Sequence, residues 1–306
     1  MALVSLKPVL DAASKYHYGQ GAFNVNAVAQ AKAVIEVHEM FRSPAILQGA
    51  DLANGFMGGC TDFVHATLED KRRGAKRIGD AVRAFGESAS IPVVLHLDHG
   101  KDFESCKAAI DGGYTSVMID GSSLPFAENV DLTREVVKYA HERGVSVEGE
   151  LGVLAGVEDH VFAADSTYTN PLKAIEFFKK TKVDALAISY GTIHGASKGK
   201  DVKLRCQIPI TIRECMNHEG ITGGLVSHGS STVPAYIVDE INALGGELKN
   251  TYGISIQELK EAISSGINKI NVDTDIRLAV TRNMKELFEG RRELQTSAWV
   301  GEIYRL

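Results

Sequence analysis

Short apolar runs alternate along the chain with longer stretches in which apolar residues recur at helical spacing, and the alternation repeats eight times. The strand-like runs are 21–25, 44–50, 93–99, 116–122, 145–152, 185–191, 223–230 and 267–273. Each is short, rich in Val, Ile, Leu and Ala, and free of strict in/out alternation, as expected of parallel strands covered on both faces. Helical patterns lie between them. Residues 129–141 put Val130, Leu132, Val136, Val137 and Ala140 on one stripe, and 103–110 and 234–244 follow the same spacing. A helix over 171–178 begins at Pro171, where a missing N–H is harmless, and one over 255–263 has Ser255 as its N-cap. Gly112, Gly144, Gly245 and Gly266 follow helical patterns and are expected at C′ positions with positive φ.

Eight βα units without a Pro/Ser-rich linker predict the α/β class, as a closed (β/α)8 TIM barrel forming one domain over residues 1–306. An open doubly wound sheet would carry a phosphate-binding glycine fingerprint after its first strand, and Gly-Ala-Phe-Asn-Val-Asn at 21–26 is not one. The long segment 51–91 contains the charged run Glu69 to Arg73 and reads as an extra solvated helix.

Hydrophobic residues at 44% and charged residues at 24% describe a globular chain with a sizeable core. Lys+Arg 33 against Asp+Glu 39 leaves a net charge of -6, which offers no broad basic field to nucleic acid or anionic lipid. No run of about 18 apolar residues predicts a membrane span. The first ten residues lack the pattern of a signal peptide, so a cytoplasmic protein is expected. The four cysteines form no CxxC pair, which argues against a disulfide framework or a thiolate zinc site.

Polar residues collect at the C-terminal ends of the predicted strands, which in a barrel converge on one mouth. These are Asn24 and Asn26, His96 to Gly100, Asp120, Glu148 and Glu150, His194, His228 to Ser231, and Asn271 to Asp275. His99, His194 and His228 are each followed by glycine, and three imidazoles with an open fourth position suit a catalytic Zn²⁺ or another divalent ion. The glycines are expected to provide the tight turns there. Asp98, beside His99, either trades a proton with a substrate hydroxyl or orients a histidine ring. Glu158 lies in a glycine-bearing loop after the fifth strand, where it either reaches substrate or is merely solvated. Gly195, Gly229, Ser230, Ser231, Asn271 and Thr274 follow the last three strands, where barrels commonly bind phosphate, and Lys198 is close enough in sequence to reach the same anion.

With these residues placed, the chain resembles the class II, metal-dependent fructose-bisphosphate aldolases and relatives that cleave other ketose phosphates. The matching stretches are Gly-Ala-Phe-Asn-Val-Asn at 21–26, Leu-His-Leu-Asp-His-Gly at 95–100 and Ser-Val-Met-Ile-Asp-Gly-Ser at 116–122. Val-Glu-Gly-Glu-Leu-Gly at 147–152, Gly-Thr-Ile-His-Gly-Ala at 191–196, His-Gly-Ser-Ser at 228–231 and Lys-Ile-Asn-Val-Asp-Thr-Asp-Ile-Arg at 269–277 complete the set. The resemblance implies His99, His194 and His228 as zinc ligands, Asp98 as the acid/base at the C4 hydroxyl, and Glu158 as the proton-exchanging residue at the enediolate carbon. It implies that Asn24 positions substrate and that Asn271 and Asp273 hold the ketose hydroxyls. Gly195, Lys198, Gly229, Ser231 and Thr274 would surround the phosphate, near a monovalent cation such as Na⁺ or K⁺ in some members. His96, Asp120 and Glu150 match a possible second metal site, with a polar core cluster as the other reading. A homodimer or homotetramer is implied, with Arg277 as the arginine that reaches a neighbouring active site.

The chain departs from the family pattern where Ala50, followed by Asp51, replaces a serine that helps bind the aldehyde-end phosphate, and where a Phe-Asp-Pro-Arg segment is absent. A missing hydroxyl and a nearby carboxylate leave fructose 1,6-bisphosphate, tagatose 1,6-bisphosphate and other ketose 1-phosphates open as substrates. Three rivals remain. A Schiff-base aldolase would need Lys269, more simply a core ion-pair partner. A zinc hydrolase barrel would favour an HxH pair on the first strand. A non-catalytic sugar-phosphate-binding barrel would show no proton exchange.

Overall fold

The computed structural model describes residues 3–158, 161–163, 166–195 and 202–290, with backbone alone for 157, 158, 161–163 and 290. Eight parallel strands close a barrel: β1 (Gln20–Asn24), β2 (Ala45–Ala50), β3 (Val93–Gly100), β4 (Ser116–Ile119), β5 (Ser146–Leu151), β8 (Ala185–Ile188), β9 (Gly224–Ser227) and β10 (Lys269–Val272). Their order around the wall is β1-β10-β9-β8-β5-β4-β3-β2. β6 (Gly156–Glu158) and β7 (Val161–Ala163) form a separate antiparallel pair. Every predicted run overlaps a barrel strand, with ends that differ by a few residues. The fold is a TIM barrel.

Helices surround the barrel and close its bottom. α1 (Leu6–Tyr16), α2 (Val28–Met40), α3 (Asp51–Met57), α4 (Leu68–Gly86), α5 (Phe103–Asp111), α6 (Phe126–His141), α7 (Pro171–Thr181), α8 (Gln207–His218), α9 (Ala235–Ala243), α10 (Ile256–Ser264) and α11 (Thr274–Gly290) follow in order. Local chemistry sets their ends. The Ser255 side chain accepts from the Glu258 N–H at the start of α10, and Asn170 caps α7 ahead of Pro171. Gly144, Gly245 and Gly266 adopt positive φ as expected, but Gly112 does not. Gly113 carries the turn, at φ 100. Gly112 is needed for another reason: a Cβ there would lie 2.8 Å from the Ala75 backbone of α4.

Inside the barrel the layers change character from bottom to mouth. Leu6, Val9 and Leu10 of α1 plug the bottom and pack on Ala22, Ile46, Val94, Met118, Ala185, Ala187 and Val226. Further along the strands the same inward face turns polar: Asn24, Gln48, His96, Asp120 and His228 stand two residues beyond lower-layer positions and Glu148 joins them from β5, all nearly or fully buried apart from Asp120. The period of two that fills the lower layer with methyl groups therefore aims the polar residues at one end of the lumen.

Residues 51–91 hold α3, a 3-10 turn (Phe63–His65) and α4, not one solvated helix. α4 buries Gly74, Ala75, Ile78, Gly79 and Val82, and Lys71 from the middle of the charged run is buried with them. Its ammonium is ion-paired with the buried carboxylate of Asp51. That carboxylate, expected near the substrate, is instead consumed in the α3–α4 contact.

Candidate active site

Strand alternation would point His99 away from the lumen, because Val93, Leu95 and Leu97 face the outer core while Val94 faces the inner one. The register with β4 shifts between Leu97 and Gly100, and His99 itself adopts φ 48. This bulge turns two consecutive side chains, Asp98 and His99, into the same mouth. At this point the histidine, not the following glycine, takes the left-handed backbone. At the other two, Gly195 (φ 79) and Gly229 (φ 60) take it as expected. A Cβ on Gly229 would lie 2.6 Å from the Ile193 carbonyl oxygen, so the β8 and β9 loops meet backbone to backbone.

The three imidazole rings gather at the mouth, but the ligand atom of His194 does not meet those of His99 and His228 as closely as the carboxylate of Asp98 does. Ring centroids are 4.7 Å apart for His99 and His228, 5.4 Å for His99 and His194, and 6.3 Å for His194 and His228. His99 Nδ1 lies 3.0 Å from Asp120 Oδ2, and His228 Nε2 lies 2.8 Å from Glu148 Oε1. Carboxylates accept, so each ring donates its outer N–H there. The inner nitrogens, His99 Nε2 and His228 Nδ1, face each other at 3.1 Å. A proton on His99 or a bound cation would satisfy that contact, and Asn271 Nδ2 also lies 3.2 Å from His228 Nδ1. Two ligands on one tetrahedral Zn²⁺ at bonds of about 2.0–2.1 Å would sit roughly 3.3 Å apart, so the donor set fits a divalent ion. Asp98, His99 and His228 bring ligand atoms within 4.8 Å of one another.

The surrounding charges favour a cation. Burial disfavours a charged His99, but the hydrogen bond to Asp120 and the charges of Asp98, Asp120 and Glu150 overcome it and hold the pKa well above the usual histidine range. Burial would raise the Glu148 carboxyl, yet Lys269 and His228 hold it well below the carboxylate range. Asp120 is held low in the same way, by His99 and by the Ser122 N–H and hydroxyl.

Amides surround Asp98. Asn24 Nδ2 donates to Oδ2 at 2.9 Å, Gln48 Nε2 to the same oxygen at 3.3 Å, and Asn271 Nδ2 to Oδ1 at 3.3 Å. Gln48 also donates to Asn24 Oδ1 at 2.7 Å, which fixes which end of the Asn24 amide faces Asp98. A cavity of about 520 Å³ opens beside these groups. One wall carries Gly195, Gly229, Ser230, Ser231, Asn271, Asp273, Thr274 and Arg277, and the other Asn26, Leu52, Ala53, Phe56 and Phe63. The Ser231 hydroxyl accepts from the backbone N–H groups of Asp273 and Thr274, while the Ser230 hydroxyl is turned toward Ser227 at 2.7 Å. Arg277 Nε donates to Asp273 Oδ2 at 2.7 Å within the same chain.

The His96, Asp120 and Glu150 trio is not brought together as such. Asp120 and Glu150 flank His99, whereas His96 bonds Ser116 Oγ at 2.8 Å and lies 3.5 Å from Glu148. Glu158 has its backbone in β6, opposite Val161, and its side chain lies outside the described atoms. Lys198 lies outside the described residues. Sequence reasoning passed over Gln48 and gave Glu148 no individual role. Both stand on the inward parity of their strands, two residues from a named position, which is the signal that would have found them.

The family described as "Fructose-bisphosphate aldolase class-II" matches residues 4–305. The chain belongs to this family. It is 41% identical to the fructose-bisphosphate aldolase of Giardia intestinalis, over 94% of this chain and 84% of that one. It is 38% identical to the fructose-bisphosphate aldolase of Thermus caldophilus, over 98% and 92%. The crystal structure of the YdjI aldolase from Escherichia coli K12 superposes with a TM-score of 0.71 at 27% identity, covering 97% and 89%. This class II aldolase is therefore an enzyme of a metal-dependent family. Its Lys269 is fully buried and donates to Glu148 Oε2 at 3.0 Å, consistent with a core ion pair in place of a Schiff-base nucleophile.

Proposed function

We propose that this aldolase reversibly cleaves a ketose phosphate, fructose 1,6-bisphosphate or a close relative, between C3 and C4 to dihydroxyacetone phosphate and an aldehyde. The observation that carries the reading is the close approach of His99 Nε2 and His228 Nδ1, 3.1 Å apart beside Asp98, with the His194 ring 5.4 Å from His99 across the mouth. His99, His194 and His228 would hold the cation, Zn²⁺ being the ion that best suits three imidazoles. When bound, it supplies Lewis-acid stabilisation of the negative charge that develops on the ketose oxygens.

The chain's own groups do the rest. Asp98 takes the C4 hydroxyl proton as the bond breaks, held in one orientation by Asn24, Gln48 and Asn271. Glu158 is assigned the proton exchange at the enediolate carbon, and Lys198 a place beside the phosphate. Gly195, Gly229, Ser231, Thr274 and Arg277 would cradle that phosphate, with Ser230 contributing its backbone and Asn271 and Asp273 holding the ketose hydroxyls. A Na⁺ or K⁺ ion near the phosphate, a homodimer or homotetramer, a single domain over 1–306 and a cytoplasmic location belong to the same proposal. No helix among the described residues is long and apolar enough to cross a membrane.

One observation favours a ketose 1-phosphate over a bisphosphate. The wall formed by α3 and the 3-10 turn is apolar, and Arg277, paired with Asp273, is the only cationic side chain lining the cavity among the described residues. A coupled assay comparing fructose 1,6-bisphosphate, tagatose 1,6-bisphosphate and ketose 1-phosphates, with and without chelator, tests both points. Cleavage that survives complete metal removal would overturn the mechanism.

A further inference from the structure

Below the three imidazoles the barrel holds a charge that the aldol step does not use. Lys269, at the start of β10, is fully buried, and its ammonium crosses the lumen to Glu148 on β5, which is separated from it in the wall by β9 and β8. Two imidazoles compete for that carboxylate: His228 Nε2 lies 2.8 Å from Oε1, and His96 Nε2 lies 3.5 Å from Oε2. Lys269 engages Oε2, the oxygen nearer His96, at 3.0 Å. An ammonium can only donate, so Oε2 is held as an acceptor and the carboxylate cannot swing toward His96. Oε1 is thereby left to His228, whose Nε2 must carry the hydrogen and whose Nδ1 must present a lone pair to the site.

We propose that Lys269 is a positioning residue which, through Glu148, fixes the tautomer and orientation of His228 so that Nδ1 is the atom offered to the cation. The inference rests on the reading of His228 as a metal ligand. Two roles for Lys269 predict opposite signs. A buried positive charge near a cation site repels the cation, so a mere core charge would, on removal, leave Zn²⁺ binding unchanged or tighter. A lock on His228 would, on removal, loosen it, because groups orienting a metal ligand typically contribute about 10–100-fold in affinity.

The test is Zn²⁺ affinity of the full chain, measured by competition with a chromophoric chelator, for wild type, Lys269→Met and Lys269→Gln. The second variant keeps a polar group in the lumen should the first fail to fold, and thermal melts of the metal-free proteins establish folding. Long-range ¹⁵N–¹H spectra of the metal-free proteins read the histidine tautomers directly. The expected result is Zn²⁺ binding weakened by about 10-fold or more, with His228 no longer purely in its Nε2–H form. Folded variants that bind Zn²⁺ as tightly as wild type or tighter, with the Nε2–H form retained, would overturn the assignment. Failure of wild type itself to bind Zn²⁺ would instead sink the metal-site reading, and the two failures are thereby told apart.

Discussion

Among the described residues, Asp98 has three amide donors around its carboxylate and no lysine or arginine, so these amides orient it without an ion pair. Asp98→Asn keeps the shape and removes the base. Turnover should fall by about 10²–10⁴-fold while metal content, read by elemental analysis, stays at the wild-type level. Loss of metal in that variant would assign Asp98 to the metal site instead. Away from the mouth, His141 Nε2 lies 2.9 Å from Asp184 Oδ2, a bond that raises the histidine pKa above its ordinary value against a smaller opposing effect of burial. The group binds its proton more tightly when folded, so its stabilisation is complete below about pH 6.5 and is lost as pH rises through the folded pKa. The gap in urea midpoint between wild type and His141→Gln should therefore be wider at pH 6 than at pH 9.

At the scale of elements, α3 and α4 show how a charged sequence can become a buried interface. Gly74 lets the helices touch, since a Cβ there would lie 1.7 Å from the Asn54 carbonyl oxygen, and Gly58 plays the same part against Asp70. The Asp51–Lys71 pair closes the contact, and Tyr114 donates to Asn54 Oδ1 at 2.7 Å from the β4 side. Lys71→Met would leave the Asp51 carboxylate buried without its partner and should destabilise the protein by about 3–5 kcal/mol, read by chemical denaturation. The exposed aromatic pair Phe56 and Phe63, 5.9 Å apart at the cavity wall, rides on this contact. Eight strands and five of the eleven described helices were legible from periodicity. Lys71 was not, because its partner is 20 residues away and a run of Glu, Asp, Lys and Arg reads alike whether it is solvated or paired across two helices.

For the whole molecule, the polar lumen is a concentrated cost of folding that a bound cation would offset. His96, Asp98, His99, Glu148, His228 and Lys269 are all fully buried. A ligand that binds only the folded state adds about 2.7 kcal/mol at 100 times its dissociation constant. Chelation should therefore lower the melting temperature as well as abolish cleavage, and Zn²⁺ added back should restore both in a concentration-dependent way. A melting temperature indifferent to chelator would argue that the lumen is satisfied by its own ion pairs.

Much of this was determined by the sequence alone. Apolar runs covered on both faces require parallel strands, eight of them close a barrel, and an inward parity that changes from methyl groups to imidazoles and carboxylates places polar chemistry at one rim. Tertiary structure decided what parity cannot. It put His99 on a bulge that breaks the alternation, chose Asp120 and Glu148 as the partners of the two rings, buried Asp51 against Lys71, and sent Lys269 across the lumen. These pairings join residues 20 to 121 positions apart. Local spacing says which face a side chain takes, and only the closed wall brings one face of β10 opposite another of β5.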